Sequence, residues 1–218
     1  FRRIIEEKTA ILDIGGGSRQ ISLVDKDTLE STQNLRLGVI RLQELLNHLN
    51  AGSTQMEQLV DELATAQLDD YKKLYLKDRE IKNIIIVDDY LSPWAVRKAH
   101  ERGDGNAMVE RKAVYQLMDA LRTRGTTELA KRMDIAEEKV PLVYISTVLT
   151  KRIAELMGAE LIWAPGVTLC DGIAYEYAEQ NKLLRGAHDF AEDIIACAMN
   201  ISKRYNGSSR RADSLEHV

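Results

Sequence analysis

The stretch TAILDIGGGSRQISLVDKD, residues 9–27, decides the fold of this 218-residue chain. A short apolar run over residues 9–12 predicts a mostly buried strand that leads into Asp13. Residues 20–24 alternate polar and apolar side chains, which predicts a second, half-buried strand. Because few residues join the two runs, the stretch predicts a β-hairpin.

The link between the two runs holds Gly15, Gly16, Gly17 and Ser18, which is more glycine than a hairpin turn requires. Glycine tolerates positive φ and lets backbone N–H groups approach another group closely. Successive exposed N–H groups form a concave anion site, and Asp13 beside them is suited to hold a cation. The residues therefore indicate either a phosphate site with a divalent metal or a glycine-rich hairpin that carries a surface aspartate.

The composition sets limits on size, partners and compartment. A chain of 218 residues fits one large domain, or one domain plus an appendage. A net charge of −4, from 30 basic and 34 acidic residues, gives no indication of a nucleic-acid-binding surface. No apolar segment approaches the length that spans a membrane. Cys170 and Cys197 lack metal-ligand spacing, which predicts reduced core thiols in a cytoplasmic protein.

The rest of the chain alternates helical and strand-like patterns. Residues 81–89 read IKNIIIVDD, and their four consecutive branched apolar side chains predict a strand buried on both faces. Further strands are expected at residues 30–35 and 160–165. Helices are expected after Gly38, from Ser92, and over residues 53–74, 109–122, 126–133, 141–157 and 187–205, and residues 166–182 are expected to form a loop followed by a helix.

This order is a three-strand meander, helices, a strand, helices, a strand and a helix. It predicts an α/β fold with a mixed sheet, flanking helices and an additional C-terminal helix. The order differs from that of dinucleotide-binding domains. It fits the half-domain shared by actin, sugar kinases and ATP-driven chaperones, in which the first hairpin holds phosphate.

The segment ILDIGGGSRQISLVDKDTLESTQNLRLGVIRLQELL, residues 11–46, resembles the start of the second actin-like domain of the exopolyphosphatase / guanosine pentaphosphate phosphohydrolase family. That family carries a strand, then D-I-G-G-G-S-T-E, a strand pair and a basic-Gly-x-x-Arg corner. Here the corner is RLGVIRL, residues 36–42. The segment GVTLCDGIAYEY, residues 166–177, is similar to the glycine-containing segment before the family's closing helix. The resemblance covers residues 8–181.

The resemblance implies an activity and a site. Family members have two actin-like domains with a cleft between them, and they remove terminal phosphates from inorganic polyphosphate or guanosine pentaphosphate with Mg²⁺ and water. Asp13 matches the metal-binding aspartate. The phosphate loop is matched by Gly15, Gly16, Gly17 and Ser18, and Arg19 follows as a further candidate for phosphate binding.

Two departures from the family pattern affect the chemistry. The family's Thr-Glu pair is Arg19-Gln20 here, so Gln20 stands at the catalytic position where the family's glutamate serves the metal or the water. Glutamine has the same shape but cannot act as a base, and it is a poorer Mg²⁺ ligand. The family's second glycine-rich turn is replaced by Asp88, Asp89 and Tyr90. These carboxylates are either complements to a helix N-terminus or metal ligands that would repel a polyanion.

Residues 1–183 are expected to form the second actin-like domain. Residues 184–218 are expected to form a linker and a helical segment that leads into a truncated HD-type domain. By the resemblance, the first HD histidine is expected near Ser214, with His217 close by. His188-Asp189 is interpreted as a helix cap with its neighbour rather than as a metal site. The start at Phe1 and the end at Val218 indicate a piece of a longer protein whose first actin-like domain is the expected partner, and a homodimer is a further assembly to test.

Three functions follow in order of preference. The first is an exopolyphosphatase-like phosphohydrolase whose fragment alone is inactive, because a cleft enzyme needs both walls. The second is a degenerate relative that binds a phosphate-rich ligand or a protein partner without hydrolysis, which Gln20 favours. The third is another actin-like protein, such as a sugar kinase or a filament former, against which the corner at residues 36–42 argues.

Overall fold

The computed structural model describes residues 7–26, 28–49, 53–103, 107–186, 188 and 190–208, with only the backbone of residues 53 and 54. The strands are β1 Thr9–Ile14, β2 Arg19–Asp25, β3 Thr28–Leu35, β4 Asn83–Asp88, β5 Met108–Glu110 and β6 Leu161–Trp163. The α-helices are α1 Val39–His48, α2 Ser53–Tyr71, α3 Ser92–Arg102, α4 Arg111–Thr123, α5 Thr126–Met133, α6 Val140–Met157, α7 Leu169–Gln180 and α8 Phe190–Arg204.

The strands form one six-stranded mixed sheet in the order β3-β2-β1-β4-β6-β5. The first three are an antiparallel meander, β4 runs parallel to β1, and β6 runs parallel to β4. The α/β class and the mixed sheet predicted from the sequence are therefore confirmed. Ten apolar residues of the expected strands share this sheet: Ile11, Leu12, Ile21, Leu23, Ile84, Ile85, Ile86, Val87, Leu161 and Ile162. Leu161 is exposed rather than part of the core.

One face of the sheet is buried under helices. Leu12 pairs with Ile21 on one side and with Ile86 on the other, and all three side chains are completely buried. Cross-strand partners project to the same face, so the period-two pattern of β1 and β2 directs one apolar row to the core. Burying each such side chain contributes about 1.5–3 kcal/mol.

Helix α6 lies at the centre of this layer. Its flanks are joined to α2 and α4 by tyrosine hydroxyls: Tyr144 Oη donates to Glu57 Oε2 at 3.0 Å, and Tyr115 Oη donates to Glu155 Oε1 at 2.8 Å. Gly158 ends α6 in the left-handed region at φ 73°, a conformation that glycine adopts without strain. Among the described helices, none is both long and apolar enough to cross a membrane.

Two element boundaries differ from the prediction. Residues 108–110 form a short edge strand, β5, antiparallel to β6, where the sequence predicts the start of a helix at residue 109. Three residues are too few to show a period-two pattern, and the pairing with β6 overrides the local helical pattern. The helix predicted over residues 53–74 ends at Tyr71 and continues as one π-helical turn, Lys72–Leu76. Ser53 precedes the apolar stripe of this helix and is therefore expected to be its N-cap, but its side chain lies outside the described ones.

The two cysteines are not core residues, so that prediction is wrong. Cys170 is exposed on α7, and Cys197 is partly exposed on α8. Helix α7 has no buried residue. An apolar pattern around a cysteine therefore does not place it in the core.

Helix α8 lies along the free edge of β3. Asp193 Oδ1 accepts the Leu29 N–H at 2.8 Å, and Cys197 Sγ donates to Leu29 O at 3.2 Å. Asn200 Nδ2 donates to Glu30 O at 2.8 Å. These side chains satisfy backbone groups that an edge strand otherwise leaves open to another strand. The division of the chain at residues 183 and 184 stays a prediction.

Candidate functional site

The glycine loop, residues 15–18, joins β1 to β2. Ile14 pairs with Arg19, so four residues make the turn, and the Gly15 N–H donates to Ser18 O at 3.0 Å. The loop therefore lies at the end of β1, next to the carboxyl end of the parallel strand β4.

The carbonyl groups of the loop face the N-terminus of α1. Three successive carbonyls accept hydrogen bonds from the first turn of that helix. The pairs are Val39 N–H to Gly15 O at 3.2 Å, Ile40 and Arg41 N–H to Gly16 O at 3.0 and 3.1 Å, and Arg41 Nε–H to Gly17 O at 3.0 Å. The loop carbonyls thus accept hydrogen bonds from the first amides of α1, and these bonds hold the loop in one orientation.

This arrangement determines where the N–H groups of the loop point. In a trans peptide the N–H lies opposite the C=O of the same plane, and the described residues contain no cis peptide bond. Because the carbonyls of residues 15–17 face α1, the N–H groups of Gly16, Gly17 and Ser18 face away from it. None of these three N–H groups has a hydrogen-bond partner within the described ranges. Three adjacent N–H groups that point to the same side are suited to bind an anion.

Gly38, in the corner before α1, permits this contact. A Cβ on Gly38 would lie 2.2 Å from Gly16 O, 2.2 Å from Gly17 C and 2.3 Å from Ser18 N. Any side chain there would force the helix away from the loop. None of the glycines in the loop adopts positive φ. The expectation that positive φ explains these glycines is therefore wrong. The close approach of α1 explains the glycine at Gly38 instead.

A polar row lies on the open face of the sheet beside the loop. Asp13 pairs with Gln20, and Gln20 pairs with Asn34 on β3. All three side chains are exposed and project to the same face. The structure therefore brings the candidate metal ligand and the candidate catalytic residue together, with Cβ atoms of such cross-strand pairs typically about 5 Å apart. Asn34 was missed, although the alternation of β3 could have placed it on this face.

Arg19 lies on the opposite face. Its side chain is completely buried, and Nε, Nη1 and Nη2 have no hydrogen-bond partner among the described residues. Burial lowers the pKa of the guanidinium to about 9, and the negative charge of Asp88 opposes that shift. The expectation that Arg19 binds phosphate thus needs correction, because its guanidinium is enclosed on the helix-covered side of the sheet. Register places Arg19 beside Ile14, which pairs in turn with Asp88.

Asp88 at the end of β4 begins helix α3. Its carboxylate accepts the Leu91 N–H at 2.9 Å, the Ser92 N–H at 2.6 Å and the Ser146 hydroxyl at 3.2 Å. Of the two interpretations of the Asp88-Asp89 pair, this geometry supports for Asp88 the one in which the carboxylate complements a helix N-terminus. Asp89 is exposed. Burial raises the pKa of the Tyr90 hydroxyl, and the nearby Asp89 and Asp88 raise it further.

The residues singled out near the C-terminus are partly described. His188 Nε2 lies 2.6 Å from Asp193 Oδ2, in the first turn of α8. Asp189, Ser214 and His217 lie outside the described residues. No group of three or more metal-ligating side chains occurs within the described part of the chain.

Comparisons with known proteins rest on structure rather than on sequence. Neither a protein-family model nor a curated protein matches the sequence. A Ppx/GppA family member from Aquifex aeolicus has a similar structure, with a TM-score of 0.65 and 12% identity over 80% of this chain and 57% of that one. An exopolyphosphatase from Cytophaga hutchinsonii gives a TM-score of 0.59 and 15% identity over 73% of this chain and 54% of that one. An exopolyphosphatase-like protein gives a TM-score of 0.63 and 17% identity over 82% of this chain and 61% of that one.

These likenesses show that the chain has the actin-like fold of these proteins, and they support the family resemblance carried by residues 11–46. The chain spans 54–61% of the length of the three structures. Nearly half of each neighbour therefore has no counterpart among these 218 residues.

Proposed function

We propose that this chain is the second actin-like domain of an exopolyphosphatase-like phosphohydrolase, and that the glycine loop binds a terminal phosphoryl group. The observation that carries the proposal is the alignment of the Gly16, Gly17 and Ser18 N–H groups, which have no partner in the described ranges. Asp13 lies on the open face beside them. The likeness to exopolyphosphatase structures supports the choice of a phosphate ligand over another anion.

Each group of the site has a chemical task under this proposal. The loop N–H groups donate to phosphoryl oxygens, whose negative charge they stabilise in an orientation already set by α1. The carboxylate of Asp13 and the amide oxygens of Gln20 and Asn34 are hard oxygen donors on one row, which fits Mg²⁺. When bound there, Mg²⁺ offsets negative charge on the phosphoryl group.

Gln20 limits the chemistry that this wall of the cleft supplies. Its amide can orient a water molecule by hydrogen bonds, but it cannot accept the proton that hydrolysis releases. Under this proposal hydrolysis is slow unless a base on the other wall of the cleft, in the longer protein, accepts that proton. Inorganic polyphosphate and guanosine pentaphosphate are the candidate substrates, and a cytoplasmic location and a homodimer stay predictions.

A second candidate function is binding without hydrolysis. Gln20 removes a carboxylate from the site, and Asp88 is engaged at the start of α3 instead of leaving backbone N–H groups for a second phosphate. The exposed carboxylate of Asp89 would further repel a long polyanion. A degenerate domain that holds a phosphate-rich ligand or a protein partner would have these properties.

Phosphate release from polyphosphate and from guanosine pentaphosphate, with and without Mg²⁺, tests the two functions on the longer protein that contains this chain. Mg²⁺-dependent release supports the phosphohydrolase. Saturable binding of either ligand without release supports the binding protein. If the protein shows no release and no binding, both proposed functions are contradicted.

A further inference from the structure

The third carbonyl of the glycine loop is held differently from the first two. The backbone amides of α1 donate to Gly15 O and Gly16 O, but Gly17 O receives its hydrogen bond from a side chain, Arg41 Nε, at 3.0 Å. No other donor to Gly17 O occurs within the described residues. Gly17 is also sterically unrestrained on its side-chain side, since nothing lies within 4 Å of an added Cβ.

We propose that Arg41 is a positioning residue that turns the Gly17–Ser18 peptide so that the Ser18 N–H joins the anion site. This inference rests on the proposed phosphate binding at the loop. Rotation of that peptide plane would exchange the directions of Gly17 O and the Ser18 N–H. The hydrogen bond from Arg41 Nε opposes that rotation, because it fixes the carbonyl on the α1 side.

The charge of Arg41 makes its hydrogen bond stronger than one from a neutral donor. Its guanidinium is exposed, and Nη1 and Nη2 have no partner in the part of the chain that the structure describes. The side chain could therefore aid an anion in two ways, by orienting the peptide or by adding positive charge near the loop. The two effects differ in range, because the orientation acts on Ser18 alone whereas the charge acts on every donor of the loop.

Three substitutions separate these effects at an exposed position where the fold tolerates change. Arg41→Gln keeps an N–H donor the same number of bonds from Cα as Nε and loses the charge. Arg41→Lys keeps the charge and moves the donor one atom further out. Arg41→Met removes both. Arg36→Gln is the matched control, because Arg36 is an exposed arginine in the same corner whose side chain makes no hydrogen bond to the loop within the described ranges.

The experiment titrates the 218-residue chain with inorganic phosphate, using amide NMR shifts of Gly16, Gly17 and Ser18 and calorimetry for the Kd. In the wild type all three amides are expected to shift. In Arg41→Met we expect the Ser18 response to be lost selectively and the Kd to rise about tenfold, the usual effect of one hydrogen bond to a charged group. Arg41→Gln should restore the Ser18 response better than Arg41→Lys, and Arg36→Gln should leave the pattern unchanged.

Contrary results would separate the positioning role of Arg41 from phosphate binding at the loop. If the wild type responds and Arg41→Met keeps both the Ser18 shift and the wild-type Kd, the positioning role is wrong and phosphate binding stands. If Arg41→Lys restores the response and Arg41→Gln does not, charge and not orientation is responsible, and the inference is again wrong. If the wild type shows no response at any of the three amides, the proposed phosphate site fails and the inference with it.

Discussion

The surroundings of Gly38 and Arg19 restrict which side chains these two positions tolerate, and the neighbouring sequence shows neither restriction. Gly38 lies directly against the peptide planes of the glycine loop, and Arg19 is enclosed without a hydrogen-bond partner among the described residues. The site of Gly38 leaves no room for a side chain, and Arg19 carries a charge in a buried position, where charge lowers the free energy of unfolding. Each requirement leads to a test of stability.

Gly38→Ala should lower the free energy of unfolding by about 1–3 kcal/mol, the usual cost of forcing extra atoms into a packed contact. The new Cβ would overlap three backbone atoms of the loop, at 2.2–2.3 Å. Urea unfolding measures the change. Gly17→Ala is the control, because an added Cβ there meets nothing within 4 Å. Equal stability of the two variants would show that α1 does not depend on this contact.

Arg19→Met should raise the free energy of unfolding by about 1–3 kcal/mol at pH 7, because an apolar side chain of similar length removes a buried charge. The effect of this buried charge depends on pH. The unfolded chain keeps the arginine proton to above pH 12, whereas the folded protein releases it at about pH 9. Stability of the wild type therefore gains from this group as pH rises through about 9.

The difference in unfolding free energy between Arg19→Met and the wild type should accordingly narrow between pH 8 and 10. Urea unfolding of both proteins at several pH values measures it, and the comparison cancels the titration of tyrosines common to both. A gap that stays constant over this range would mean that the guanidinium remains charged in the folded protein.

Helix α8 and strand β3 show how two elements from opposite ends of the chain hold one another. Asp193 is the centre of the contact, since one carboxylate oxygen accepts the Leu29 N–H and the other lies 2.6 Å from His188 Nε2. Apart from such side chains, α8 is largely exposed, with Asp193 its one buried residue. A helix attached by a few polar contacts is expected to open locally before the sheet unfolds.

Asp193→Ala should therefore speed hydrogen exchange of the Leu29 amide by about tenfold or more, as expected for loss of one hydrogen bond to a charged group. Exchange in β1 and β4 should change little. Asp193→Asn is the matched variant, because its amide oxygen can still accept the Leu29 N–H while the pairing with His188 is lost. If Asn and Ala variants exchange equally fast, the His188 contact rather than the Leu29 hydrogen bond holds the helix.

At the scale of the whole molecule, the two faces of the sheet differ, and under the proposed function the open face is one wall of a cleft. On one face, residues of β1, β2 and β4 share a hydrophobic core with residues of α1, α2, α4 and α6. The other face carries the exposed row of Asp13, Gln20 and Asn34 at its loop end. The matched structures are nearly twice as long as the part this chain covers. Under the proposed function, the second set of catalytic groups belongs to that further part.

The isolated 218-residue chain should therefore release no phosphate from polyphosphate or guanosine pentaphosphate. In the longer protein, Gln20→Glu should raise Mg²⁺-dependent release, because restoring an oriented base or ligand typically returns about 10²- to 10⁴-fold in rate. Stability should change little, since Gln20 is exposed and the two side chains have the same shape. Robust hydrolysis by the isolated chain would place the site wholly within these residues. No gain from Gln20→Glu would direct attention to Asp89 and Tyr90.

The amino-acid sequence by itself determined the order of the elements and the position of the glycine loop. Apolar periodicity is a local property, so β1, β2, β4 and α6 could be predicted from short windows, and Asp13 and Gln20 from their places around the loop. The predicted bounds of β3 and β6 differ from the observed ones, since β3 begins two residues before the predicted residue 30 and β6 covers only Leu161–Trp163 of the predicted residues 160–165. The edge strand β5 could not be predicted, because only pairing with β6 makes it a strand.

Tertiary structure alone decided how the loop and its neighbours are oriented. The direction of the loop N–H groups depends on α1, whose first turn lies more than twenty residues further along the chain. Whether Arg19 faces solvent or the core depends on which face of the sheet the helices cover, and the exposure of Cys170 depends on how little α7 packs. These outcomes arise from contacts between segments distant in sequence, and burial and hydrogen-bond direction are properties of those contacts rather than of any residue type.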